Sequence, residues 1–201
     1  MSPVRFWPGA LNIFCQATGE VIPIPHLVVA AAGPDQTGIV AEFTRVFVER
    51  GCNLEDTSMT VLRGQFAMML VVDAPSEITP SVLERELSDE TALLGLVVSV
   101  WQIPDTLPSS PQGKPWTVSI YGADRPGIVH RISKTLAERE VNIVDLETRL
   151  VGPDNEPIYS MILDVTIPPG ANPEDLRAEL NQVAADLGVE CQLHAADADV
   201  L

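Results

Sequence analysis

The residues best suited to binding chemistry lie in two short stretches of similar sequence. The stretch at 33–40 reads GPDQTGIV, and the stretch at 122–129 reads GADRPGIV. A helical pattern follows each one, and the free N–H groups and partial positive charge at a helix start favour an anion such as a carboxylate. We predict that Asp35 and Asp124 each accept an amide of the first helical turn, and that Pro126 supplies a preset φ there.

The glycines of these stretches, Gly38 and Gly127, need an explanation of their own. A glycine inside a helical turn costs about 0.5–1 kcal/mol relative to alanine, so something should approach the backbone closely at that point. One explanation is that the helix packs tightly on its own sheet. The other is that a ligand approaches, and the sequence leaves both open.

Beyond each predicted helix the chain enters the next strand through Asn53-Leu54 or Asn142-Ile143. From the fold we expect these residues to lie near the loop, where they would complete a binding site. Asparagine also tolerates the left-handed conformation that ends a helix, and Gly51 is consistent with such a turn. The asparagines therefore have a binding interpretation and a structural one.

Residues for catalysis or metal binding are few and scattered. The cysteines are Cys15, Cys52 and Cys191, and the histidines are His26, His130 and His194. No C-x-x-C pair, phosphate-binding loop, H-E-x-x-H or nucleophile motif accompanies them. His130 lies one turn into a helix near the second loop, where a surface or interface role is more common than that of a general base. We predict a protein that is not an enzyme, with no metal and no cofactor.

The charge of the chain excludes some partners. Its 201 residues include 12 Lys and Arg against 28 Asp and Glu, a formal charge of −16. This charge repels nucleic-acid phosphates and anionic lipid headgroups, so we expect no direct binding to nucleic acid or membrane. No stretch reaches the ~20 apolar residues of a membrane span, and the N-terminus makes a poor secretory signal. We therefore expect a cytoplasmic protein with reduced thiols.

The two stretches belong to an internal repeat that covers most of the chain. Gly33 aligns with Gly122, and the same register aligns Asn53 with Asn142. Each copy reads as a strand, a helix, a two-stranded hairpin, a helix and a strand. This βαββαβ order is the ferredoxin-like motif, in which two helices cover one face of a four-stranded antiparallel sheet. We predict an α+β chain of two such domains.

Composition sets the predicted boundaries. Residues 1–25 form an N-terminal extension, 26–104 the first domain, 105–115 a linker and 116–201 the second domain. The linker is predicted to be stiff and exposed, because it is rich in proline and poor in apolar residues.

Apolar residues predict the buried face of each first helix. In the first domain the stripe is formed by Ile39, Val40, Phe43 and Phe47. In the second domain it is formed by Ile128, Val129, Ile132 and Leu136. The second helix of each domain is predicted to begin at a capping side chain followed by proline, at Thr79-Pro80 and Asn172-Pro173.

The outer face of the first predicted sheet, which faces away from the helices, is unusually apolar. Its apolar residues are Val28, Ala30, Ala32, Ala67, Met69 and Val71. Such a face needs cover, from another chain or from the N-terminal segment, whose large apolar residues are Phe6, Trp7, Leu11, Ile13 and Phe14. We favour a homodimer, and a wrongly assigned translation start is a further explanation for residues 1–24.

A strand, then D-R-P-G-I-V at a helix start, then V-N-I-V-D at the next strand, resembles the ACT domain, a small regulatory module of amino-acid metabolism. Residues 116–196 resemble it closely. Residues 26–103 resemble it more loosely, because Gln36 and Thr37 replace the Arg and Pro of the motif. Two such domains without an enzyme segment are similar to the tandem-ACT proteins of the glycine cleavage system transcriptional repressor family.

The resemblance implies a binding site in each domain. ACT domains associate side by side, and many bind an amino acid at the domain interface through the first strand–helix loop and the start of the second strand. By position, the implied residues of the first domain are Asp35, Gln36, Thr37, Gly38, Ile39, Asn53 and Leu54. Those of the second domain are Asp124, Arg125, Pro126, Gly127, Ile128, Asn142 and Ile143. Gln36 lacks the charge that Arg125 offers an anion.

We therefore expect a regulatory protein that senses an amino acid or a similar small metabolite. Its partner would be a protein such as an enzyme or a transcription factor, with a role in the transcriptional control of amino-acid metabolism. A ligand-free interaction module, or a regulatory subunit of an enzyme, is the alternative.

Overall fold

The structure is a computed structural model that describes residues 26–104, 112–153 and 158–196. The first domain consists of β1 (His26–Pro34), α1 (Ile39–Glu49), β2 (Asn53–Leu62), β3 (Gln65–Asp73), α2 (Pro80–Glu90) and β4 (Val97–Gln102), with a short 3-10 helix at Ala92–Leu94. The second consists of β5 (Lys114–Gly122), α3 (Ile128–Glu138), β6 (Asn142–Val151), β7 (Ile158–Ile167), α4 (Pro173–Leu187) and β8 (Val189–Ala195). The predicted βαββαβ order is confirmed in both domains.

Two predicted segments fall largely outside the described residues. The N-terminal extension, 1–25, is one of them, and residues 105–111 of the predicted linker are the other. Strand β5 already begins at Lys114, inside the predicted linker.

Each domain has one four-stranded antiparallel sheet. The strand order is β2-β3-β1-β4 in the first domain and β6-β7-β5-β8 in the second. Within the first sheet His26 lies opposite Asp73, and Pro34 lies opposite Gln65. The end of β1 therefore lies beside the β2–β3 hairpin, and this places the loop that follows it.

The cores lie between the sheets and their helices. In α1 the buried residues are Ile39, Phe43, Val46 and Phe47, and in α3 they are Ile128, Ile132 and Leu136. Val40 and Val129 were predicted to be buried, but their exposed fractions are 44% and 38%. Each follows a buried isoleucine by one residue, which turns it about 100° around the helix toward solvent.

The predicted starts of α2 and α4 are confirmed. The Oγ1 of Thr79 accepts a hydrogen bond from the N–H of Val82 at 3.4 Å, and the Oδ1 of Asn172 accepts one from Glu174 at 3.1 Å. A proline follows each cap directly. These helix starts are set locally, because cap and proline are adjacent in sequence.

The two edges of each sheet differ. On β4 the backbone N–H of Val100 donates to the Glu84 carboxylate at 2.8 Å. At the matching place on β8, the carbonyl of Leu193 accepts from Arg177 at 3.1 Å. Side chains of the second helix thus occupy backbone groups on these edges. On the opposite edge, all ten residues of β2 are exposed, and so is β6 from residue 144 onward.

Candidate functional site

Helices α1 and α3 begin at a glycine instead of a capping side chain. Gly38 and Gly127 occupy the N-cap position with φ of 99° and 97°, and no side chain caps either helix. The prediction that Asp35 and Asp124 cap these helices is therefore wrong. The physical reason is position, because a capping side chain must sit on the N-cap residue itself, and here that residue has no side chain.

The same geometry decides between the two explanations for the glycines. A Cβ added to Gly38 or Gly127 would meet no atom of the described protein within 4 Å. Tight packing on the sheet therefore does not explain these glycines. They are explained by their left-handed backbone, which residues with an L side chain rarely adopt. Close packing instead falls on Gly33 and Gly122, where an added Cβ would lie 2.8 Å from Gly95 O and from Val189 Cγ1 respectively.

The first-turn amides of both helices lack partners within the helix. The first intrahelical bonds run from Glu42 N to Gly38 O and from Arg131 N to Gly127 O, each at 3.0 Å. The N–H groups of the residues between have no carbonyl of the helix to donate to. Each loop thus combines unpaired donors, a helix dipole and open space in front of the glycine. This combination suits a carboxylate.

Gln36 and Arg125 hold the two loops in place in the same way. Nε2 of Gln36 donates to the carbonyl of Leu94 at 2.9 Å. Nη1 of Arg125 donates to the carbonyl of Leu187, at the end of α4, at 3.2 Å. Each side chain ties its loop to the chain segment just before the last strand. One nitrogen of the Arg125 guanidinium is therefore engaged by the protein, a role that the sequence did not indicate.

The asparagines do not lie near the loop of their own domain. Asn53 lies opposite Asp73 and at the level of His26, whereas the loop follows Pro34 beside the hairpin. Nine residue steps along β2 separate these ends, about 30 Å at the rise of an extended strand. Asn142 takes the corresponding place in the second domain, opposite Thr166. The expected proximity within one domain is therefore wrong, because β1 and β2 run in the same direction with α1 between them.

The left-handed turn after each first helix is made by other residues. Gly51 has φ of 68°, and Glu140 at the matching place has φ of 56°. Asn53 and Asn142 are the first residues of their strands. The structural interpretation of the asparagines as left-handed helix ends does not apply to them.

A buried tyrosine lies opposite the strand residue at which the second loop begins. Tyr159 pairs with Gly122 and is 9% exposed. Burial raises the pKa of its hydroxyl, and the charge of Asp124 raises it further, while a hydrogen bond with Thr148 lowers it. The hydroxyl therefore stays neutral, and it donates to Sδ of Met161 at 3.8 Å.

Comparison with known families decides what these domains are. Residues 25–100 and residues 116–185 each match a model of the ACT domain. The chain is a tandem ACT-domain protein. The family expected from the motifs in 33–40 and 122–129 is thereby confirmed.

Relatives of the whole tandem include a repressor. The glycine cleavage system transcriptional repressor of Escherichia coli is 26% identical over 82% of this chain and 87% of its own length. A solved structure from Galdieria sulphuraria is 27% identical and superposes with a TM-score of 0.73 over 86% of this chain and 98% of that one. The match to the repressor and the two ACT domains support a regulatory role.

Other relatives match a smaller part of this chain, or match it over a smaller part of their own length. A UPF0237 protein of Pyrobaculum aerophilum is 38% identical over 38% of this chain and 86% of its own length. The phosphoserine phosphatase SerB2 of Mycobacterium tuberculosis is 25% identical over 82% of this chain, which spans 39% of that enzyme. The family's two-domain unit therefore also occurs within a longer enzyme.

The first ACT domain carries a polar cluster at the end where β2 begins. Nδ1 of His26 lies 2.6 Å from Oδ1 of Asp73 and 3.2 Å from Oε2 of Glu55. Histidine, aspartate and glutamate are residue types that bind metal ions, and each of these three described residues offers one ligand atom to the cluster. Only the strand register brings these residues together, so their sequence positions gave no signal.

No helix in the described part of the chain is both long and apolar enough to span a membrane.

Proposed function

We propose that this protein is a non-catalytic regulator that binds an amino acid at its ACT loops and acts on a protein partner in the control of amino-acid metabolism. The observation that carries the proposal is the open start of α1 and α3. There, the first-turn amides have no partner within the helix, and the space beside Gly38 and Gly127 is open,. A small carboxylate would complete these helix starts without displacing any side chain.

The two loop aspartates, Asp35 and Asp124, would recognise the ammonium group of an amino acid. Asp35 and Asp124 do not cap the helices, and both are exposed beside the helix starts. A carboxylate there would pair with the ammonium group of an amino acid whose own carboxylate lies on the amides. The two opposite charges of the ligand would thus match two adjacent groups of the loop.

The placement of the asparagines favours a site shared between two ACT domains. Each open β2 or β6 edge can pair with the same edge of a second copy. If that pairing is antiparallel, the start of β2 in one copy lies beside the end of β2 in the other, and so beside its loop. Asn53 of one copy would then face the Gly38 loop of its partner. We therefore propose a homodimer in which ligand binding stabilises one packing over another.

The partner is proposed to be a protein. The formal charge of −16 opposes direct contact with nucleic acid,. The likeness to a transcriptional repressor then favours action through a transcription factor. Tight, sequence-specific DNA binding by the purified chain in a filter-binding assay would overturn this part.

A thermal-shift screen against the twenty amino acids and common metabolic acids tests the ligand. An amino acid present at about 100 times its dissociation constant should add about 2.7 kcal/mol to the free energy of unfolding. Asp124→Asn should weaken the response by removing the charge that pairs with the ammonium group. If no compound shifts the midpoint, the ligand-free interaction module is the better description.

A further inference from the structure

The outer face of the first sheet is apolar over three of its strands. The residues of this outer face on β1 and β3 are Val28, Ala30, Ala32, Ala67, Met69 and Val71. On β4, Val97 and Trp101 lie on the same face and are 73% and 43% exposed. A groove of about 470 Å³ lies on this face, and its lining includes Ala30, Ala32, Ala67, Met69 and Val97 together with Ser58, Thr60 and Ser99.

The second domain provides an internal comparison for this face. It has the same fold and the same register, so each outer-face position has a counterpart. The counterparts of the six residues on β1 and β3 are Thr117, Ser119, Tyr121, Ser160, Ile162 and Asp164. On β8, Glu190 and His194 stand at the positions of Val97 and Trp101. The outer face of the second domain is thus mostly polar, whereas that of the first domain is mostly apolar. An apolar face of this kind gains free energy when it is covered.

We infer that residues 1–25 of the same chain pack on the outer face of the first domain. These residues include the large apolar side chains Phe6, Trp7, Leu11, Ile13 and Phe14. Their only charged residues are Arg5 and Glu20. The composition of this segment is therefore apolar and low in charge, and such side chains gain free energy when an apolar surface covers them.

The point at which this segment joins the domain suits the face. The segment is followed directly by His26, the first residue of the central strand β1. Val28, two residues further on, is on the outer face and lies opposite Trp101. An extended chain between Phe14 and His26 spans about 40 Å. That reach exceeds the length of β1, about 30 Å, so the apolar residues can lie anywhere along the groove.

A second copy is the competing occupant of the face, and one physical term favours the chain's own segment. A tethered segment acts at an effective concentration on the order of millimolar, far above that of a second protein molecule. Dimerisation through the open β2 or β6 edges uses other residues and is compatible with a covered outer face.

The test uses Trp101 as a reporter in the full chain, with the other two tryptophans, Trp7 and Trp116, replaced by phenylalanine. We expect blue-shifted emission and weak quenching by acrylamide. The paired change Phe6→Ser and Leu11→Ser in the segment, or Met69→Glu on the face, should red-shift the emission and make Trp101 readily quenched. Ile162→Glu, at the matching position of the second domain, should change neither property.

Other outcomes would overturn the inference. One is a Trp101 that is as readily quenched in the parent protein as in the segment variant. Another is protection that disappears on dilution together with a dimer in sedimentation velocity, because a second copy would then be the cover. The segment variant changes no residue of the two domains as the structure describes them, so it remains informative even if Met69→Glu fails to fold.

Discussion

Replacing Gly127 by alanine tests why a glycine begins α3. Gly127 has φ of 97°, and an added Cβ would meet no atom of the described residues within 4 Å. The cost of the substitution is then the left-handed backbone alone, about 1–2 kcal/mol for an L-residue. The alanine methyl would also project into the space proposed for a ligand. We expect a folded but less stable protein whose thermal midpoint no longer responds to its amino acid.

Urea unfolding of the full chain, followed by the fluorescence of Trp116, measures this cost, since Trp116 packs against the core of the second domain. Gly170→Ala is the matched control. Gly170 has φ of 93° and the same open surroundings, but it precedes α4 at the other end of the sheet. We expect the same loss of stability there, with the ligand response intact.

Gly122→Ala provides the contrasting case. Its Cβ would lie 2.8 Å from Val189 Cγ1, so the cost is overpacking, about 1–3 kcal/mol. The reasoning about Gly127 is refuted if Gly127→Ala leaves the free energy of unfolding unchanged while Gly170→Ala lowers it. A loss above about 4 kcal/mol for Gly127→Ala would instead indicate a buried contact at that position.

Three further outcomes follow from side chains described by the structure. Arg125→Met should lower the free energy of unfolding by about 1 kcal/mol in urea, because the bond to the Leu187 carbonyl is lost,. Burial raises the pKa of Cys191 to about 11, so alkylation at pH 8 should be roughly 100-fold slower than for an ordinary thiol; equal rates would contradict this. Arg139 lowers the pKa of Glu179, so Arg139→Gln should raise that pKa in an NMR titration. Any stabilisation from this pair is present above the ordinary carboxylate pKa and is lost as pH falls through the lowered one.

Local patterns predicted the elements and most of their ends. Thr79 and Asn172 begin their helices as expected, because cap and proline are neighbours in sequence. The start of α1 was not predictable in the same way. Asp35 is a good capping residue, but the helix starts at Gly38, whose left-handed backbone sets the N-cap without a side chain.

The candidate site also combines residues that a local sequence pattern identifies with residues that only the fold brings together. The loop residues around Gly38 and Gly127 could be found from the sequence because they lie together in a recurring motif. The distance of Asn53 from its loop follows from strand direction and register instead. The cluster of His26 and Asp73 likewise exists only through the pairing of β1 with β3. Such juxtapositions leave no local pattern to detect.

The unequal sheet edges have a consequence for aggregation. An uncovered strand can add strands without limit if both sides of a sheet accept them. Here Glu84 and Arg177 each bond one backbone group on the far sides of the two sheets, so the β2 and β6 edges are the sides better suited to extension. Two copies that pair through one such edge form a sheet of eight strands, and each copy then still carries the open edge of its other domain.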